Sequence, residues 1–77
     1  MQADALIERA KRLPLTLDLR EPLLLDLGQL RDAWVWMHET PGVPAGAFGL
    51  LGLSLAHLHS RLIRCEERAG ERVGGAR

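Results

Sequence analysis

The chain has 77 residues, of which 47% are apolar, and its ten basic side chains balance its ten acidic ones. That length makes one small domain whose core as a monomer is marginal, because a chain of this size buries only roughly 60–65% of its unfolded surface. The apolar content excludes disorder for the body of the chain. The charge balance excludes a global field that would steer nucleic acid or an anionic membrane, and the single cysteine, Cys65, excludes an intrachain disulfide or a Cys-rich zinc site.

Met1-Gln2-Ala3-Asp4 lacks the basic-then-apolar form of a signal peptide, so the cytoplasm is the expected compartment. Asp4 is placed to cap a first helix, with Glu8 and Arg12 paired four apart and a narrow stripe of Leu6, Ala10 and Leu13. Pro14 ends it near Leu13. Residues 13–20 read LPLTLDLR, in which Leu13, Leu15, Leu17 and Leu19 alternate with Pro14, Thr16, Asp18 and Arg20. Period two is the pattern of a half-buried strand. With no second strand in view, such a strand needs a partner from another copy. The other reading is an extended linker that lays its leucines on the helices.

Glu21–Thr40 is the predicted second helix, with Pro22 in its first turn, where a missing N–H is harmless. Leu23, Leu27, Leu30, Trp34 and Met37 form its seam. Residues 40–46 (TPGVPAG) are the turn, and Pro44 opens the last helix, expected over Pro44–Arg72. Its seam is Phe48, Leu51, Leu55, Leu58, Leu62, Cys65 and Ala69, again alternating three and four residues apart. A short turn makes the two helices antiparallel neighbours, so the seams face one another. Residues 1–72 are read as one helical domain and 73–77 as a flexible tail.

These helices carry more apolar surface than one seam each. Trp34 and Trp36 are two apart and project about 200° from one another. Leu25, Gln29, Ala33 and Trp36 line a second face of the second helix, and Leu50, Leu53 and Ile63 lie off the seam of the last. Surplus apolar surface on a small chain points to a second interface. Ala45, Gly49, Gly52, Ala56 and Ser60 form a stripe of small residues, which lets helix backbones approach closely. The uncharged core of 14 residues, Ala45–Leu58, is too short for a membrane span.

No signature of catalysis is present: there is no phosphate loop, nucleophile elbow or metal-protease helix. His57 and His59 are two apart on a helix and cannot share a metal. Cys65 on a seam reads as a small buried apolar residue. No cofactor or metal is expected. Arg61, Arg64, Arg68 and Arg72 fall on one side of the last helix, bordered by Glu67 and Glu71, as a charged face rather than a phosphate-contacting stripe.

The expected fold is therefore mostly α: a short N-terminal helix, an extended segment and a long antiparallel helical hairpin, two chains of which assemble into a four-helix arrangement. The expected function is that of a small non-catalytic interaction or regulatory module, a homodimer that binds another protein through Leu25, Ala33, Trp36, Arg61, Arg64 and Arg68. The order strand, helix, turn, helix over Leu13–Ile63, with the segment LTLDLREPLLLDL, loosely resembles the ribbon-helix-helix regulators. That resemblance implies an alternative function as a dimeric DNA-binding regulator, with Thr16, Asp18 and Arg20 as the outward, base-reading residues.

Overall fold

The computed structural model describes the backbone of residues 2–75 and the side chains of residues 3–70. It contains three helices: α1 (Gln2–Lys11), α2 (Arg20–Glu39) and α3 (Ala45–Gly75). Among the described residues there is no strand. α3 runs on to Gly75, and the rest of the tail expected from residue 73 lies outside the described residues.

The connection between α1 and α2 departs from expectation. Instead of an extended segment it is a pair of successive turns, in which the Leu17 N–H donates to the Pro14 carbonyl (3.0 Å) and the Arg20 N–H to the Leu17 carbonyl (3.0 Å). Turns bring residues four apart to one side. Leu13 and Leu17 are therefore buried, whereas Leu15 is 85% exposed and Leu19 43% exposed. The four leucines do not share a face. Pro14 and Asp18 are turn formers, and leucine is a weak strand former, so local chemistry prevails over the alternating pattern.

Two further local expectations shift. Asp4 lies inside the first turn of α1 rather than at its cap, with its carboxylate 4.0 Å from Arg31 of α2. Glu8 pairs with Lys11 at 3.2 Å rather than with Arg12.

α2 and α3 form the antiparallel hairpin. Gly42, at φ +84°, makes the turn after α2 in a conformation that residues bearing a Cβ rarely adopt. Register follows from the cross-helix pairs. His38 faces Phe48 and Asp26 bonds Arg61, so facing residue numbers add to 38 + 48 = 86 or 26 + 61 = 87. Both seams lie where expected. Leu23, Leu27, Leu30, Leu58, Leu62 and Cys65 are buried, and Trp34, Met37, Phe48, Leu51, Leu55 and Ala69 are half-buried.

The difference along the seam is the work of α1. Its buried face is Ala3, Leu6, Ile7 and Ala10, continued by Leu13, and it covers the end of the hairpin remote from the turn. Ten residues span about 15 Å, half the roughly 30 Å of α2. Arg9 fixes α1 to α3 by a two-pronged bond to Glu66, Nε to Oε2 at 3.1 Å and Nη2 to Oε1 at 2.5 Å. That hydrogen bond, more than the attraction of the two charges, raises the Arg9 guanidinium further above its already high pKa. The turn end is left as two helices only. The result is a rod of 55 × 17 × 17 Å whose radius of gyration, 14.7 Å, exceeds the roughly 11.5 Å of a compact domain of this length.

The small-residue stripe makes no close approach within the chain. A Cβ added at Gly49 or Gly52 would meet nothing within 4 Å.

Candidate protein-interaction surface

α1 occupies one flank of the hairpin, against Glu66 and His59 of α3 and Arg31 of α2. Residues two apart on a helix point about 200° apart. Gln29 and Ala33 flank Arg31 by two, and His57 precedes His59 by two, so all three lie on the opposite flank. That flank is open.

A groove runs along it between α2 and α3. Toward the turn it is bordered by Gln29, Ala33, Leu53 and Ser54, with Leu30, Leu51 and Leu58 beneath. Toward the other end it passes His57 and Arg61 and continues past Arg64 and Arg68, over Leu19 and Cys65. One end is apolar and the other basic. Above the apolar end stand three large exposed side chains: Trp36 (61%), Leu50 (67%) and Leu53 (70%). Leu25, 62% exposed, continues the α2 line past Gln29.

The structure brings five of the six expected partner-binding residues to an unobstructed position on this flank: Leu25, Ala33, Trp36, Arg64 and Arg68 are all exposed. Arg61 is different. It is half-buried, and its Nη1 donates to Asp26 Oδ2 at 2.5 Å, bridging α3 to α2. Its charge is matched within the chain. Sequence reading placed Gln29 and Leu53 off the seams but did not bring Asp26, Ser54 or His57 to this flank. The signal was available in the turn, since an antiparallel hairpin centred on residue 43 pairs residues whose numbers add to about 86.

The residues assigned to DNA reading do not form a row. Thr16 and Asp18 are exposed on the turns. Arg20 points back into the fold, its side chain only 13% exposed. Its Nη2 donates to the Lys11 carbonyl at 3.3 Å and its Nη1 to Glu21 Oε1 at 2.5 Å, which ties the end of α1 to the start of α2. A cation is favourable beside the last carbonyls of a helix. Its Nε is buried and makes no hydrogen bond.

Two of the three histidines, His38 and His59, make local contacts. His38 stacks on Trp34 at 3.9 Å and meets the edge of Phe48 at 5.0 Å. Its Nδ1 lies 3.1 Å from the Trp34 carbonyl and carries the proton, since a carbonyl only accepts. His59 Nε2 lies 3.4 Å from Arg9 Nη1 and is the acceptor by the same reasoning. Among the described residues no three metal-ligating side chains converge. Cys65 is buried and unpaired. No helix of the described residues is long and apolar enough to cross a membrane. Comparison with models of known protein families, with curated proteins and with solved structures finds no match to this chain.

Proposed function

We propose that this chain is a small non-catalytic interaction and regulatory module, which acts in the cytoplasm as a homodimer and binds another protein. The observation that carries the reading is the open flank of the hairpin, where Leu25, Trp36, Leu50 and Leu53 stand in solvent at 61–70% exposure. A monomer gains nothing from four large apolar side chains on one side, and clusters of that kind mark interaction surfaces. Tryptophan is the residue that most often anchors such a contact. The exposed Arg64 and Arg68 extend the same flank and supply polar selectivity toward a partner protein rather than a reaction.

Sedimentation equilibrium at micromolar concentration tests the first half of the reading. The expected species is a dimer that Trp36→Ala shifts toward monomer. A chain that is monomeric throughout, with Trp36→Ala indistinguishable from the parent, refutes it. Titration with mixed-sequence DNA at two salt concentrations checks the rival regulator reading, because binding through phosphates weakens steeply with salt. Negligible, salt-independent binding is the expected result.

A further inference from the structure

We infer that the basic end of the groove is a binding site for a small phosphate monoester, whose phosphoryl group is held by Arg64 and Arg68 and whose organic part lies on Leu19. The inference goes beyond the partner-protein reading and holds whatever covers the apolar end of the flank.

The site is a cleft of about 380 Å³ lined by Leu19, His57, Arg61, Arg64, Cys65 and Arg68. Ligand sites run from roughly 300 to 1,000 Å³, so the cleft is of small-molecule size. At about 100° per residue, His57, Arg61, Arg64 and Arg68 fall within about 60° of one another on α3. Three guanidiniums therefore share one stripe, and like charges one turn apart repel. One carboxylate answers them: Asp26, which is bonded to Arg61. Arg64 and Arg68 make no hydrogen bond or ion pair with any described residue. Glu67 follows Arg64 by three residues and still does not bond it. The helix dipole does not account for the pair either, since α3 continues to Gly75 and the dipole acts within the last turn. Three positive charges less one negative leave two unanswered.

A guanidinium is a planar fork that bonds two oxygens of one oxyanion. Residues four apart on a helix have Cβ atoms about 5–6 Å apart, so both forks reach a single tetrahedral group. A phosphate monoester is close to a dianion at about pH 8, its second pKa being about 6, and so matches the two free arginines. A carboxylate or a sulfate ester brings only one charge. The rest of the lining is apolar. Leu19, 43% exposed, and the buried Cys65 offer an organic ester group a surface that bare phosphate cannot use. The chain carries no net charge, so no wider field draws in a long polyanion or an anionic membrane.

Calorimetric titration with phenyl phosphate at about pH 8 and fixed low salt tests the site. The expected result is saturable binding of one ligand per chain. Arg64→Gln and Arg68→Gln should each weaken it at least about tenfold, since each removes charge-assisted bonds. Arg12→Gln, at an exposed position on the other side of the molecule, should leave it within about twofold, because distant surface charges are screened. Phenyl sulfate, of similar shape and one charge, should bind more weakly than phenyl phosphate. Leu19→Ala should remove the preference for phenyl phosphate over inorganic phosphate. Thermal melts matching the parent show that the exposed arginine variants remain folded. The site is overturned by an absence of saturation at millimolar phenyl phosphate, or by equal weakening from Arg12→Gln and Arg64→Gln, which marks a diffuse ion atmosphere. A phosphoserine peptide or a phosphatidic acid vesicle that binds at least tenfold more tightly than phenyl phosphate overturns the small-molecule ligand in favour of a phosphorylated protein or a lipid.

Discussion

Leu62 tests the packing most directly. It is 0% exposed and belongs to the core that α1, α2 and α3 share. Leu62→Ala removes three carbons, a transfer loss of about 2.4 kcal/mol at about 0.8 kcal/mol each. The neighbouring helices cannot collapse fully into the space, so a cavity contribution brings the total to about 3–4 kcal/mol. A domain of this size holds only about 3–5 kcal/mol in all. Leu62→Ala should therefore sit near its unfolding midpoint at room temperature. Leu58→Ala, at 6% exposure, should cost about as much, within the usual 2–5 kcal/mol. Leu55 lies nearer the turn, level with Arg31 and the first turn of α1, and is only half-buried. Leu55→Ala should cost roughly 1–2 kcal/mol, since much of its surface stays in water. Urea titration followed by far-UV circular dichroism at a fixed protein concentration measures all three, since association shifts apparent stability. Equal losses for Leu55→Ala and Leu62→Ala would refute the idea that α1 divides the hairpin into a covered and an uncovered end.

Thermal melts check the other expectations. Gly28 sits in mid-helix with free space around its Cα, so Gly28→Ala should add about 0.5–1 kcal/mol, whereas Gly42→Ala forces a Cβ into the left-handed region and should cost about 1–2 kcal/mol. Arg20→Ala, which removes the bond to the Lys11 carbonyl, should cost about 1–2 kcal/mol. Arg20→Lys should fail to restore it, because one ammonium cannot hold both the Lys11 carbonyl and Glu21. Trp34 is half-buried rather than enclosed, so Trp34→Ala should cost about 2 kcal/mol and not the 3–5 kcal/mol of a fully buried ring.

The hairpin was legible because its signals agree. Two long seams alternate three and four residues, Pro41-Gly42 breaks the chain between them, and every seam residue is at least half-buried in the fold. α1 was only half legible. Ala3 and Ile7 extend its buried face, but placing the cap at Asp4 starts the helix after Ala3 and hides the run Ala3, Leu6, Ala10, Leu13. The leucine alternation of residues 13–19 misled for a definite reason. Four leucines at period two carry no information about the backbone between them, and that backbone contains Pro14 and Asp18. The difficulty was visible beforehand, since a lone strand leaves its hydrogen bonds unmade. Two turns satisfy some of them locally, at Leu17 and Arg20.

Arg20 shows how the same residue can serve two readings and how geometry separates them. In an alternating strand it would point away from Leu19 toward a ligand. In the turn it closes the gap between Lys11 and Glu21, and its guanidinium is spent there. The tryptophans separate the other way. Trp34 is half-buried and stacks on His38, while Trp36, two residues on, is 61% exposed on the flank that α1 leaves bare. α1 is held to its own flank by Arg9 and Asp4, and at ten residues it cannot also wrap the other side. The core of this chain is therefore closed on one flank by its own N-terminus, and what remains open is set by where α1 is anchored and how far it reaches.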